Sequence, residues 1–198
     1  MVSSGSQPCV FLDRDGTLIV DGGYVHLPEQ LQLLPGVAHG LGALRRAGFL
    51  LIVVTNQSGV ARGFYEEAQI ARFHEHLDRQ LGTAAAPDAY YYCPYHPQAV
   101  RPEYRRDSDL RKPATGMFEL ACRAYAIDVA RSFMIGDKPL DMEFAARAGL
   151  RGILLAESAV AHAPFAASGY IVKPDFAAAA AAILAHCAGA PDAWPKPQ

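Results

Sequence analysis

The sequence predicts an α/β fold: a mainly parallel sheet with helices on both faces. Three observations carry this reading. Short apolar runs alternate with longer amphipathic stretches along most of the 198 residues. The clearest run, Phe49-Leu-Leu-Ile-Val-Val54, is continuous rather than alternating, as in a strand covered on both faces. Two helical stretches stop at a glycine, Gly48 and Gly82, as helix C-termini often do. Strands and helices in alternation build parallel sheets.

The elements follow in order. Cys9–Asp13 reads as a buried strand. Val37, Leu41 and Leu44 recur at helical spacing after Pro35-Gly36, which predicts a helix to Ala47. Phe49–Val54 is a strand, Glu66–Leu81 a helix and Ala89–Cys93 a strand. The polar stretch Tyr95–Leu110 is long for a compact domain, and such loops are often functional. Thr115–Ala126 is a helix with Thr115 as its cap, Ser132–Gly136 a strand and Pro139–Ala148 a helix. Gly152–Leu155 and Tyr170–Val172 are strands, and Asp175–Cys187 is the last helix. No internal repeat or linker divides the chain. One domain over residues 1–190 is expected, with a frayed proline-rich tail at 191–198.

Composition excludes several classes. Hydrophobic residues make up 51% and charged residues 19%, too apolar for disorder. The formal net charge is -2, without the basic excess of a nucleic-acid binder. The longest strongly apolar run is far shorter than the roughly 20 residues of a membrane span. Met1–Pro8 has neither the positive charge nor the apolar core of a signal peptide. Cys9, Cys93, Cys122 and Cys187 are scattered, with no CxxC pair. They read as reduced thiols in a cytoplasmic protein.

Four polar signals follow strands or precede a helix, where parallel sheets bind ligands. Asp13-Arg-Asp-Gly-Thr17 carries two carboxylates at i and i+2, on one side of an extended chain. Such a pair suits Mg²⁺, or a division of labour between nucleophile and proton carrier. Thr55-Asn-Gln-Ser-Gly59 offers a hydroxyl and amides to a phosphate oxygen. Arg111-Lys-Pro113 offers two cations, and Gly136-Asp-Lys-Pro-Leu-Asp141 two further carboxylates and a lysine. Each signal alone is compatible with an ordinary turn or cap. Asp141 in particular reads equally as a first-turn acid favoured by the helix dipole, with Asp137 the better metal ligand.

Together, in this order, the four resemble the motifs of the haloacid dehalogenase (HAD) superfamily of phosphohydrolases. A closer resemblance runs from about Val10 to Val172, to the D-glycero-D-manno-heptose-1,7-bisphosphate 7-phosphatases, grouped with histidinol-phosphate phosphatases. It is carried by Phe11–Thr17, Gly23–His26, Val53–Gly59, Ala61-Arg62-Gly63, Tyr91–Pro94, His96–Gln98, Arg111–Pro113, Gly116-Met117, Gly136–Lys138 and Asp141-Met142.

The resemblance implies a three-layer Rossmann-like HAD fold without a large cap domain. It implies Asp13 as nucleophile, forming an aspartyl-phosphate, and Asp15 as general acid and base. Thr55 and Lys112 would stabilise the phosphoryl group. Mg²⁺ would be held by Asp13, the backbone carbonyl of Asp15, and Asp137. Asp21, Gly22, Gly23, Tyr24, Asn56, Gln57, Ser58, Arg111 and Lys138 would contact substrate. The implied pathway is nucleotide-activated heptose synthesis for lipopolysaccharide or capsule, run by a cytoplasmic and monomeric enzyme. Histidinol phosphate or another small phosphomonoester is an alternative substrate. A catalytically silent phosphosugar-binding protein is the alternative of another class.

One departure stands out. The family's loop before Arg-Lys-Pro binds structural Zn²⁺ through Cys-x-His and Cys-x-Cys. Here those positions hold Cys93, Tyr95, Ser108 and Leu110. A structural zinc site needs four ligands, and His96 alone does not restore it. No structural zinc is expected. Cys93 is then a small core residue, and Tyr95 is expected to stack where the metal would sit. Arg105 or Arg106 is expected to pair with Asp107 or Asp109.

Overall fold

The computed structural model describes residues 5–156, 170–189 and 194. Six strands, β1 (Cys9–Leu12), β2 (Leu50–Asn56), β3 (Ala89–Cys93), β4 (Phe133–Gly136), β5 (Arg151–Leu155) and β6 (Tyr170–Lys173), form one sheet in the order β3-β2-β1-β4-β5-β6. Every pairing is parallel. Four helices lie between successive strands, α1 (Val37–Arg46), α2 (Glu67–Leu81), α3 (Gly116–Ala124) and α4 (Pro139–Arg147), and α5 (Phe176–Cys187) follows β6. Single 3-10 turns at Pro28–Gln30, Pro102–Tyr104 and Val129–Arg131 were not legible in the sequence.

Successive strand residues face opposite sides, and two cores result. Val10, Leu12, Leu51, Val53, Phe133 and Ile135 pack with α1, α2 and α5. Cys9, Phe11, Ile52, Val54 and Met134 pack with α3 and α4. The three layers explain why β2 is a continuous apolar run. β2 begins one residue after the start of its apolar run and continues two residues past its end, because Thr55 and Asn56 pair with Tyr92 and Cys93 of β3. Thr115 does stand at the N-cap of α3, but its hydroxyl donates to Glu119 Oε1 at 3.0 Å and caps no backbone amide. Of the tail expected to fray, only Trp194 lies within the described residues. It is buried against Phe133 and His186.

The strand order reverses direction between β1 and β4. In open parallel sheets the crevice at such a switch point, at the carboxyl ends of the strands, is where ligands bind. Asp13 and Asp137 emerge there side by side.

Candidate active site

Asp13 continues the sheet: its amide donates to Ile135 O at 2.9 Å. Its buried side chain accepts at Oδ1 from Lys112 Nζ at 2.7 Å. The same ammonium donates to Asp141 Oδ1 at 2.6 Å. Asn56 fixes the Lys112 backbone, accepting from its amide at 3.0 Å and donating to its carbonyl at 3.2 Å. Burial acts to lower the Lys112 pKa, but Asp13 and Asp141 outweigh it and hold the ammonium above the ordinary lysine value.

Asp13, Asp137 and Asp141 bring carboxylate oxygens within 4.8 Å of one another. Oδ1 of Asp137 is buried with no hydrogen-bond partner among the described residues. Burial, and then the charge of Asp13, pushes Asp137 up to about 7. Two glycines make the room. A Cβ on Gly16 (φ +85°) would lie 2.2 Å from Asp137 Oδ2, and one on Gly136 would lie 2.5 Å from Asp141 Cγ. Three carboxylates, two of them on one buried ammonium and the third with an orphaned oxygen, fit a hard divalent cation such as Mg²⁺.

Asp141 is thus more than a first-turn acid. It is fully buried, with Oδ1 on Lys112 and Oδ2 accepting from the Lys138 amide at 3.1 Å. Spacing alone did not favour it over a dipole-stabilising role. A proline at N1 of α4 with an acid two residues later was the available signal.

The Asp15 side chain turns away from this cluster. Arg14 donates to Asp15 Oδ1 at 2.9 Å, and Gln57 Nε2 donates to Oδ2 at 2.8 Å. Gln57 Nε2 also reaches Thr55 Oγ1 at 3.0 Å, while its Oε1 accepts from Tyr65 Oη at 2.7 Å. Burial raises the Asp15 pKa in spite of Arg14, the direction a proton donor needs. Arg14, itself buried, also donates to Val25 O and Gln57 Oε1 and lies over the Phe73 ring.

A cavity of about 210 Å³ opens beside Asp15, lined by Asp21, Gly23, Tyr24, Asn56, Gln57, Ser58, Tyr65 and Lys138. Seven of these eight were expected from the sequence. Tyr65 was not, and it lies too far from any strand end to be singled out. Gly22 and Arg111 lie outside the lining. Arg111 is half-buried, donating to Tyr95 O at 3.4 Å. Lys138 reaches over the rim to Asp21 at 3.0 Å. Burial acts to raise Asp21, but the Lys138 hydrogen bond and charge lower it overall.

The loop from Pro94 to Leu110 has its own scaffold. Arg106 stands over the Tyr95 ring with Cζ 3.6 Å from the centroid, and Tyr95 tilts against Tyr104 at 5.9 Å. Tyr104 Oη donates to Glu67 at 2.9 Å, and Arg101 grips both oxygens of Glu66 at 2.8 and 2.6 Å. The expected pairing of Arg105 or Arg106 with Asp107 or Asp109 does not occur. Arg105 donates instead to the Ala99 carbonyl at 2.8 Å, and Arg106 is taken by the aromatic face. Cys93 is fully buried, its thiol directed at Tyr95 O at 3.7 Å, and burial raises its pKa. His96 Nδ1 accepts from the Gln98 amide at 3.0 Å. With Leu110 unable to coordinate, this donor set does not fit a four-ligand zinc site.

Comparison with known proteins gives the same picture. The family described as HAD-hydrolase-like matches residues 109–182. The chain is 48% identical over 147 residues to the D-glycero-beta-D-manno-heptose-1,7-bisphosphate 7-phosphatase of Escherichia coli O6:H1, covering 73% of this chain and 77% of that one. It is 45% identical over 139 residues to the enzyme of that name from Photorhabdus laumondii, covering 70% and 74%. The chain belongs to the heptose-1,7-bisphosphate 7-phosphatase family.

Solved structures agree with this membership. A D,D-heptose 1,7-bisphosphate phosphatase from B. bronchiseptica, complexed with magnesium and phosphate, superposes with a TM-score of 0.76 at 29% identity. That match covers 90% of this chain and 99% of the other. A HAD-like phosphatase from Mesorhizobium loti gives 0.73 at 36% identity, covering 78% and 74%. The acid pair, Arg111-Lys-Pro113 and Gly136-Asp-Lys138, on which the resemblance rests, meet at this site, and the loop that carries Tyr95 lacks three of the four zinc ligands the resemblance implies.

Proposed function

We propose that the protein removes the 7-phosphate of D-glycero-β-D-manno-heptose 1,7-bisphosphate through an aspartyl-phosphate intermediate. The observation that carries this is Lys112 bound between Asp13 and Asp141, beside Asp137, with Asp15 lining the adjoining cavity of about 210 Å³.

Phosphoryl transfer needs positioning and neutralisation of spread negative charge, and little else. Asp13 attacks phosphorus, forming the carboxyl–phosphorus bond as the bond to the sugar oxygen breaks. Asp15 gives that oxygen its proton, then takes one from the water that hydrolyses the acyl phosphate. Lys112 and the Thr55 hydroxyl face the charge that develops on the phosphoryl oxygens. Gln57 ties Thr55 to Asp15 and fixes their relative positions. When bound by Asp13, Asp137 and the Asp15 carbonyl, Mg²⁺ supplies further neutralisation of that charge. Asp141 orients Lys112.

Substrate contacts fall to the cavity residues, with Arg111 at its edge, and product release returns the sugar 1-phosphate. The protein is read as a cytoplasmic monomer serving nucleotide-activated heptose synthesis. No helix among the described residues is long and apolar enough to cross a membrane.

The test is phosphate release across both anomers of the heptose bisphosphate, histidinol phosphate and fructose 1,6-bisphosphate. The β-heptose bisphosphate is expected to give the highest kcat/KM. A preference for histidinol phosphate would replace the substrate and keep the chemistry.

A further inference from the structure

Arg14 separates the two acids of the Asp13-Arg-Asp15 motif, and the fold buries it to 1% exposure. A buried cation is costly unless its donors are used, and here each nitrogen has a partner. Nε lies 3.3 and 3.2 Å from the two carboxylate oxygens of Asp15. Nη2 lies 2.9 Å from Asp15 Oδ1, 2.8 Å from Val25 O and 3.1 Å from Gln57 Oε1. Nη1 faces His74 Nε2 at 3.4 Å. A guanidinium has donors only, so His74 accepts there. That role suits a histidine that burial, and then the Arg14 charge, hold neutral. Phe73 covers one face of the guanidinium at 4.7 Å. Three segments distant in the chain, at Val25, at Gln57 and on α2, thus fix one side chain.

The donor-only character of Arg14 also sets the polarity of the groups beyond it. Gln57 must turn its amide oxygen toward Arg14. The same oxygen accepts from Tyr65 Oη at 2.7 Å. The Tyr65 ring takes the space that a side chain on residue 59 would need, since a Cβ on Gly59 would lie 2.1 Å from Tyr65 Cε1. Gln57 Nε2 is left with its hydrogens for Asp15 Oδ2 at 2.8 Å and Thr55 Oγ1 at 3.0 Å. Thr55 accepts there and keeps its own proton for another acceptor. The reversed amide would set an oxygen against the ionised Asp15, two acceptors with no proton between them. Asp15 is therefore gripped by Arg14 and Gln57 together, at the wall of the cavity.

We propose that Arg14 is a positioning residue for the reaction: directly and through Gln57, it aims the Asp15 carboxyl at the place where the leaving sugar oxygen takes its proton. This rests on the phosphatase reading of the site. A misplaced proton donor matters most where the leaving group needs the proton. A sugar alkoxide needs it, whereas p-nitrophenolate departs without it. The two leaving groups separate the aiming of Asp15 from a general loss of structure.

The experiment compares kcat/KM for the heptose 1,7-bisphosphate and for p-nitrophenyl phosphate in wild type, Arg14→Met and Arg14→Lys. Phe73→Leu, which loosens the packing on Arg14 and leaves its charge, is the control. Arg14→Met is expected to lose about 10²- to 10³-fold on the heptose substrate and less than about 10-fold on p-nitrophenyl phosphate. It is also expected to release p-nitrophenolate in a burst of about one per chain, because Asp15 no longer aims the water that hydrolyses the acyl phosphate. Arg14→Lys keeps a cation but not the fork, and is expected to show the same selective loss at smaller size. Phe73→Leu is expected to lose little, and equally on both substrates. Equal losses on the two substrates in Arg14→Met, or activity within two-fold of wild type, overturn the proposal. If urea unfolding finds Arg14→Met unfolded, the same comparison in Arg14→Lys decides. Acetyl phosphate, whose acetate also leaves without a proton, takes the place of p-nitrophenyl phosphate if the wild type does not hydrolyse it. A wild type that hydrolyses none of the three overturns the phosphatase reading, and this proposal with it.

Discussion

Lys112 and Arg106 belong to the same connection after β3 and are both cations, yet they hold the protein in opposite ways. Lys112 is sealed from solvent, with carboxylate bonds of 2.7 and 2.6 Å. Arg106 lies in the open and rests on an aromatic face. Removing one partner of a buried ionic cluster strands the others in a poorly solvated site. Removing an exposed cation–π contact returns the cation to water. On that difference, a substitution at the buried centre is expected to cost far more than one in the loop. A loop that needs only to cover a cavity can be held by a metal or by several weak contacts. A centre that must neutralise a phosphoryl group has far fewer solutions.

The comparison breaks most visibly at Asp13. Asp13→Asn is expected to lower kcat by at least about 10³-fold while keeping the far-ultraviolet circular dichroism, because an amide is no nucleophile toward phosphorus. Lys112→Met is expected to lose activity and about 3–5 kcal/mol of stability in urea unfolding, because Asp13 and Asp141 are left buried and unpaired. If both substitutions leave turnover intact, the centre described above is not the active site.

A smaller effect comes from His74, buried between Tyr90 and Arg14. Burial, and then the Arg14 charge, drives its pKa down to about 3. The folded state therefore excludes a proton that the unfolded chain binds below its ordinary pKa near 6.5. Stability is full above that pH and is lost as pH falls toward the folded value. Between pH 7.5 and 5 the loss is about 2 kcal/mol. His74→Phe, which keeps a ring against Tyr90, should remove that share of the pH dependence of urea unfolding.

The smallest effects belong to the loop. Arg106→Ala and Tyr95→Ala should each lower stability by no more than about 1 kcal/mol. They should raise KM a few-fold and leave kcat within two-fold. A collapse of kcat would mean that the loop takes part in the chemistry.

The sequence made the sheet legible because a parallel sheet imposes continuous apolar runs, and it made Asp13, Thr55 and Asp137 legible because strand ends position them, with Lys112 legible just before α3. Its limits were physical too. Arg14 reads as a spacer between two acids until the fold brings it to Val25, Gln57 and His74, the last of these 60 residues away. Tyr65 likewise gains Gln57 as its partner, and Asp141 gains Lys112, only through tertiary contacts. Arg106 carries no local sign that it will choose Tyr95 over a neighbouring aspartate. In water that choice is worth little either way.

The two regions are tested together by stripping untagged protein of metal with EDTA, removing the chelator, and measuring phosphate release from the heptose bisphosphate after adding Mg²⁺ alone. The account predicts no turnover in the stripped protein and full recovery with Mg²⁺, with elemental analysis finding no stoichiometric zinc before stripping. Recovery that requires added Zn²⁺, together with about one zinc per chain lost in Cys93→Ser, would contradict it.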